Sequence, residues 1–225
     1  YRFRASLYEK LAPGLGTAVS GYYTRAGGFF ENLATGRKCD WERFGGGRWR
    51  TQWRNGKGLR LDNSLSFSVL EQGGYPYAYA GEEIVRDGQT VIRPGEIRYN
   101  DPSGYRRTTL SDGLTLRYDA AAFSVSSITS YQYSDDAMPL DQDFLPLSYF
   151  TLRQARTEHA LTEDLVFRSR DDRSYRWLFG VFGFYRHATM SAPVVFKQTG
   201  IEELILANAN AHDGLYTYSW DDTEL

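Results

Sequence analysis

Polar and apolar residues alternate along most of the chain with a period of two, the pattern of a half-exposed β-strand. In residues 59–69 one face carries Leu59, Leu61, Leu65, Phe67 and Val69, interrupted only by Asn63, and the other face is polar. The same alternation predicts strands at 2–8, 17–26, 43–54, 58–70, 107–118, 123–134, 157–168 and 174–187. A further strand is predicted to begin near Tyr218. Each segment has roughly the ten residues that a tilted strand needs to cross a bilayer.

Short and long connections alternate between these strands. The short ones are residues 9–16, 55–57, 119–122 and 169–173, and the long ones are 27–42, 71–106, 135–156 and 188 onward. Compact soluble domains seldom carry so many long loops, whereas outer-membrane barrels pair tight periplasmic turns with long extracellular loops. We therefore expect an all-β fold: an antiparallel transmembrane β-barrel segment of about eight or nine strands. A soluble antiparallel sandwich with one solvated face would alternate in the same way and remains the alternative.

Composition is compatible with this expectation. Of the 225 residues 41% are hydrophobic and 16% aromatic, which is too apolar for disorder. No stretch approaches the ~18–20 apolar residues of a membrane helix. The 26 basic and 28 acidic residues nearly cancel, which argues against nucleic-acid binding. Aromatic residues near predicted strand ends are typical of interfacial girdles: Tyr8, Trp53, Tyr118, Tyr131, Tyr133 and Tyr175.

Charge is concentrated in two stretches. Arg48, Arg50, Arg54 and Arg60 lie on the polar face of two adjacent predicted strands. In a barrel that face lines the lumen, where these arginines would meet acidic groups inside the barrel or attract anionic ligands. The acidic stretch, Asp135, Asp136, Asp141 and Asp143, offers ligands for a hard cation but lacks the spacing and glycine of an EF-hand loop. We expect it to be a solvated external loop.

The long loops carry aromatic ligand candidates and a predicted short helix. The aromatic residues Tyr75, Tyr77, Tyr79, Tyr149 and Phe150 are candidates to contact a ligand that enters from outside, or else they pack the loops together. Thr199 and Glu202 have the spacing of a capping box, which predicts a short helix in the last loop.

The chain shows no constellation expected of an enzyme. His159, His187 and His212 lie in separate segments without metal-ligand spacing, and there is no nucleophile elbow or phosphate-binding loop. We therefore predict no catalytic residue, no metal and no cofactor. Cys39 is the single cysteine and falls in a predicted external loop, so it is either a free thiol or paired outside this chain.

Several segments, in their order and spacing over residues 17–187, resemble the barrel of TonB-dependent outer-membrane receptors, the siderophore-receptor-like family. They are Arg25-Ala-Gly-Gly-Phe-Phe-Glu-Asn32, Phe44-Gly-Gly-Gly-Arg48, Glu71-Gln-Gly-Gly-Tyr-Pro76, Ser124-Val-Ser-Ser-Ile-Thr-Ser-Tyr131, Asp141-Gln-Asp-Phe144, Thr162-Glu-Asp-Leu-Val-Phe-Arg-Ser169 and Tyr175-Arg-Trp-Leu-Phe-Gly-Val-Phe182. The family usually carries Glu and Arg where Asp164 and Val166 stand here.

This resemblance implies that residues 1–225 are part of a 22-stranded barrel domain whose globular plug lies outside this chain. It implies a receptor in the outer membrane of a Gram-negative bacterium, in contact with membrane lipid and coupled through its plug to the TonB energy-transducing complex. Its implied ligand is scarce, foremost a ferric siderophore, and its action is gated transport without covalent chemistry. Two other functions stay open: a passive porin-like barrel and a soluble β-sandwich that binds carbohydrate.

Overall fold

The computed structural model describes residues 1–170 and 174–205, and the backbone of residues 215–224. Nine long strands form one antiparallel sheet, and two small hairpins lie in the loops. The strands are β1 (Arg2–Ala12), β2 (Leu15–Ala26), β3 (Glu31–Asn32), β4 (Arg37–Lys38), β5 (Glu42–Arg54), β6 (Leu59–Gln72), β7 (Ile84–Arg86), β8 (Gln89–Ile92), β9 (Tyr105–Asp119), β10 (Phe123–Asp141), β11 (Phe150–Ser169), β12 (Leu178–Phe196) and β13 (Leu215–Glu224).

The long strands pair in chain order, β1-β2-β5-β6-β9-β10-β11-β12-β13, and every pairing is antiparallel. The hairpins β3–β4 and β7–β8 belong to two of the long connections. The predicted all-β antiparallel fold is confirmed, and so is the strand predicted near Tyr218. Within the described residues the sheet is open, with β1 and β13 at its edges. A sandwich would need two sheets packed face to face, and this single nine-stranded sheet does not provide them.

The connections follow the predicted alternation with two differences. The last long connection begins after Phe196 rather than at residue 188, because β12 runs over Leu178–Phe196. Residues 13–14, 55–58 and 120–122 form short turns, whereas 27–41 and 73–104 are long. The predicted long loop 135–156 is wrong, because β10 continues to Asp141 and β11 already begins at Phe150. Here polar and apolar pairs are mixed on the same face, as in Asp136 with Arg156 and Leu140 with Leu152, so the period-two signal disappears although pairing continues. Residues 171–173 of the predicted short turn lie outside the described residues.

The register gives the sheet two chemically distinct faces. Arg48 lies between Ser20 and Ser66 on the neighbouring strands, and its chain neighbour Trp49 lies between Val19 and Leu65. The face of Trp49, called the apolar face below, exposes large hydrophobic side chains such as Phe3, Leu7, Val19, Trp49, Phe67 and Leu161. The face of Arg48, called the polar face, is the concave one, since cavities lie over it. Tyr8 pairs with Ala18, opposite Arg50, and so lies on the polar face rather than in an apolar girdle.

The small buried core belongs to the loops rather than to the sheet. Cys39, Ile97 and Tyr99 are buried together, and Phe144 packs against them. The predicted helix is present as α1 (Gln198–Gly200), which continues as a π-helical turn over Ile201–Ile205. The expected capping box is wrong, because the residue before the helix is Lys197 and no side chain caps it.

No helix among the described residues combines the length and the apolar character that crossing a membrane requires.

Candidate ligand-binding surfaces

The predicted basic group lies on the polar face, as strand alternation requires. Arg48 and Arg50 are opposite Ser66 and Ser64 of β6, and Arg54 is opposite Arg60 at the turn between β5 and β6. Arg60 continues the row to Arg117 of β9. The four predicted arginines therefore follow one polar face, from its middle to the short-turn end.

These arginines differ in their ionic partners. Arg60 forms an ion pair with Asp119 at 3.5 Å, and Arg117 lies 3.2 Å from the same carboxylate. Arg48, Arg50 and Arg54 form no ion pair with any residue that the structure describes. Within the group, Arg60 therefore has an acidic partner at the short turn, whereas Arg48, Arg50 and Arg54 have none among the described residues.

Farther along the sheet the polar face is internally neutralised. Arg107 donates to both carboxylate oxygens of Asp136, at 2.6 and 3.1 Å. Arg186 lies 3.0 Å from Glu158, which also accepts a hydrogen bond from Arg156. Charge on the polar face is therefore uneven, with paired ions between β9 and β12 and uncompensated arginines on β5.

The loop aromatics predicted to contact a ligand form two separate groups. Tyr75 and Tyr77 stack with ring centroids 5.8 Å apart, and Phe144 meets Tyr77 edge-on at 4.9 Å. The Tyr75 hydroxyl donates to the sulfur of Met138 at 3.0 Å. Tyr77 is 58% exposed, so this group presents one aromatic face to solvent. Phe144 was missed by the sequence pattern, because its loop position has no periodicity.

Tyr149 and Phe150 lie at another place, beside the helix that follows β12. The Tyr149 hydroxyl contacts Arg86 at 2.6 Å and Glu203 at 2.9 Å, while Phe150 packs on Phe196 at 5.3 Å. Tyr79 belongs to neither group: its backbone bonds to Glu96 and Gly95 within the same loop. The five candidates do not converge on one pocket, and the polar contacts of Tyr149 favour the loop-packing alternative for that residue.

The acidic stretch is not a solvated loop. Asp135 and Asp136 lie within β10, where Asp136 binds Arg107 and Asp135 accepts from Thr157 at 3.2 Å. Asp141, at the end of the same strand, is fully buried. Asp143 accepts backbone hydrogen bonds from Leu145 and Tyr149 at 2.8 and 3.2 Å. Asp135 and Asp136 have partners on neighbouring strands, and Asp143 has partners within its own turn, so a run that looked solvent-exposed is ordered and partly buried.

No group of three or more potential ligands suitable for a metal ion occurs among the residues that the structure describes. The two histidines in this part of the chain, His159 and His187, are direct cross-strand neighbours although far apart in sequence. His159 Nδ1 lies 2.9 Å from the Tyr131 hydroxyl. His212 lies outside the described residues.

Cys39 is a free thiol in the loop core, 3% exposed. Burial raises the pKa of the Cys39 thiol, although a hydrogen bond with Tyr99 opposes this shift. Burial, with the neighbouring thiol, also raises the pKa of Tyr99 to about 12. The thiol is therefore neutral and enclosed, so pairing with a cysteine outside this chain would require the loop to open.

Comparisons with known proteins place the fold. No family model matches the chain, and no curated protein matches it. Among solved structures, the chain is similar to the ferric yersiniabactin uptake receptor FyuA from Yersinia pestis, with a TM-score of 0.65 and 15% identity. The match covers 88% of this chain but only 30% of that receptor. This similarity shows the fold, that of a β-barrel segment whose sheet is open within the described residues.

Proposed function

We propose that residues 1–225 form part of the barrel wall of a TonB-dependent receptor in the outer membrane of a Gram-negative bacterium. The receptor takes up a scarce ligand, for which a ferric siderophore is the leading candidate, by energy-coupled gated transport. It is not an enzyme. A plug domain elsewhere in the parent protein gates the barrel and contacts the TonB complex, and the apolar face contacts membrane lipid.

One observation carries this proposal: a single antiparallel sheet with one apolar, exposed face and one polar face over which the cavities lie. A soluble protein buries such an apolar face, whereas a barrel in lipid leaves it exposed. The fold similarity to a ferric yersiniabactin uptake receptor supports the same class, and the 30% coverage agrees with a segment of a larger barrel.

The loops supply the proposed capture surface for the ligand. The exposed ring of Tyr77, backed by Tyr75 and Phe144, offers an aromatic platform in a long connection. Aromatic rings contribute large contact areas with little loss of conformational entropy on binding. On the concave side, the uncompensated arginines Arg48 and Arg50 favour an anionic ligand.

The test is uptake of a radiolabelled ferric siderophore by cells that lack their own receptors and express the intact receptor containing this chain. Uptake is expected to require both TonB and the proton-motive force, and to stop when a protonophore is added. Uptake that survives the protonophore would instead show a passive porin-like barrel. Recovery of the protein in the soluble fraction without detergent would contradict the membrane assignment.

A pair of variants localises ligand capture. Tyr77→Ala removes the exposed ring of the loop group and is expected to raise the ligand concentration for half-maximal uptake by roughly tenfold. The matched control is Tyr118→Ala, which removes an exposed ring of similar size from the short-turn end of β9. Equal effects of the two substitutions would remove the loop aromatics from the proposed capture site.

A further inference from the structure

Three arginines gather on the polar face of the first strands of the sheet. Arg48 and Arg50 are two positions apart on β5, and Arg4 lies on β1, one strand beyond β2. The β2 residues opposite Arg48 and Arg50 are the small Ser20 and Ala18, whereas the β2 residue opposite Arg4 is Tyr22. The arginine side chains of β1 and β5 therefore extend beyond the short side chains of Ser20 and Ala18 on β2.

This arrangement encloses a cavity of about 420 Å³. The three arginines line it together with hydroxyl groups, including those of Tyr8, Tyr22 and Ser20. Arg4 was not among the residues singled out from the sequence. The alternation Arg2-Phe3-Arg4 placed it on the polar face, but only the register of β1 against β2 brings it to Arg48.

The charge of this cavity is uncompensated. None of Arg4, Arg48 and Arg50 pairs with a carboxylate in the part of the chain that the structure describes. Asp62, an acidic residue of the same face, lies opposite Gln52, one step closer to the short turn than Arg50. By contrast, Arg107 on the same face has Asp136 as its acidic partner. Three like charges kept together beside a polar cavity indicate a site for an anion.

The donors define the chemistry of that anion. A guanidinium group binds a carboxylate or a phosphate through two parallel N–H···O bonds, and hydroxyl groups supply single additional donors. Several guanidinium groups suit a ligand with several such oxyanion groups. The cavity is large enough for a small molecule, since ligand pockets begin at roughly 300 Å³.

We propose that Arg4, Arg48 and Arg50 form a binding site for a small, multiply charged oxyanion on the lumen wall. The proposal rests on the proposed function, because it requires the polar face to line the barrel lumen and the plug to leave this cavity open to solutes. Polycarboxylates and polyphosphates share the recognised chemistry, and the experiment separates them.

The experiment is calorimetric titration of the purified intact receptor in detergent with citrate, pyrophosphate and, as a singly charged comparison, acetate. Citrate or pyrophosphate is expected to bind, more weakly as salt is added, and acetate is not. The double variant Arg48→Gln/Arg50→Gln is expected to weaken binding roughly 100-fold, about tenfold for each lost charged contact. Stronger binding of citrate than of pyrophosphate identifies a polycarboxylate site, and the reverse order identifies a polyphosphate site.

The matched control is Arg43→Gln, on the same strand but on the apolar face, where Arg43 stacks on Trp41 at 5.1 Å. It is expected to leave binding unchanged. The proposal is overturned if neither anion binds the unmodified receptor, or if the double variant binds as the unmodified receptor does. Energy-dependent siderophore uptake can persist in either case, so this failure is distinguishable from failure of the proposed function.

A second measurement needs no variant. Phenylglyoxal modifies accessible arginines, and mass spectrometry reads the modification at each position. The bound anion is expected to protect Arg4, Arg48 and Arg50 but not Arg43. Equal modification of all four with and without the anion would overturn the site even if the variants failed to fold.

Discussion

The buried carboxylate of Asp141 accepts a hydrogen bond from the backbone amide of Asn100 at 2.9 Å, and a second from Asp101 at 2.8 Å, both through Oδ2. Oδ1 is also buried and accepts no hydrogen bond from a donor among the described residues. Asp141 thereby fastens the long connection 73–104 to the end of β10. This contact lies well beyond Tyr131 and Tyr133, outside the part of β10 that would cross a membrane.

This fastening is expected to weaken as the pH rises. Burial raises the pKa of Asp141 to about 7, opposed by the amide of Asp101 and increased by the neighbouring Asp143 carboxylate. Because the folded-state pKa lies above the ordinary value, the contact is fully stable in acid and is lost as the pH rises through about 7. Hydrogen-exchange protection factors of Asn100 and Asp101 should fall as the pH rises from about 4 to about 7 and stay level above that. Asp141→Asn should abolish that dependence, and a pH-independent protection factor in the unmodified protein would contradict it.

Asp40 provides a contrasting case in the loop 27–41. Its carboxylate accepts hydrogen bonds from the amides of Phe29 and Phe30, at 2.8 and 2.9 Å. Burial alone would raise the pKa of Asp40, but these hydrogen bonds outweigh it and lower the pKa. Its contacts are therefore lost only in acid, below the ordinary pKa of an aspartate. Protection of Phe29 and Phe30 should stay constant from about pH 5 to about pH 8, which makes these amides an internal control.

The conformation of Gly28 limits which residues the loop can carry at this position. Its φ is +84°, and a Cβ atom there would lie 2.5 Å from Asp40 Oδ1. Gly28→Ala should therefore displace the Asp40 carboxylate and speed proteolysis of the loop, with a cost of about 1–3 kcal/mol in local stability. Gly36→Ala is the matched control: its φ is also positive, +64°, but a Cβ meets nothing within 4 Å. Equal proteolysis of the two variants would assign the effect to backbone strain alone.

The assignment of the apolar face to lipid is tested by two neighbouring residues of β11. Leu161 is 44% exposed on that face, and Thr162 lies on the polar face opposite Ser130. Leu161→Arg should lower the free energy of unfolding by about 2–4 kcal/mol in a bilayer, as an arginine does near the membrane midplane. Thr162→Arg should change it little. Unfolding of the intact barrel in liposomes, followed by its electrophoretic mobility without heating, measures both, and equal losses would contradict a lipid-facing Leu161.

A charge pair connects two loops that are distant in sequence. Arg86 of the β7–β8 hairpin donates to Glu203 Oε1 at 2.7 Å, and both side chains are partly exposed. Arg86→Glu should free the hairpin and increase its proteolysis modestly, since solvent screens an exposed ion pair. The exchanged pair Arg86→Glu/Glu203→Arg should restore protection. A double variant as sensitive as the single one would show that the pair does not hold the loops together.

The sequence by itself determined the sheet and its two faces. Side chains alternate strictly along a strand, so the positions of Arg48, Arg50 and Trp49 on opposite faces follow from local order alone. The short turns and the long connections 27–42 and 71–106 could also be predicted from the sequence, because turn and loop residues interrupt that alternation. Beyond Ser134 polar and apolar residues no longer alternate, so the local signal ended and β10 and β11 were predicted too short.

Only the tertiary structure decided which residues act together. Arg4 and Arg48 line the same cavity because of the register of three strands. Asp141 is buried because the segment around Asn100 packs on it. The five loop aromatics, similar in sequence, separate into different places for the same reason. Pairings between distant segments depend on strand register and loop docking, which are set by the sum of many contacts and leave no periodic trace in the chain.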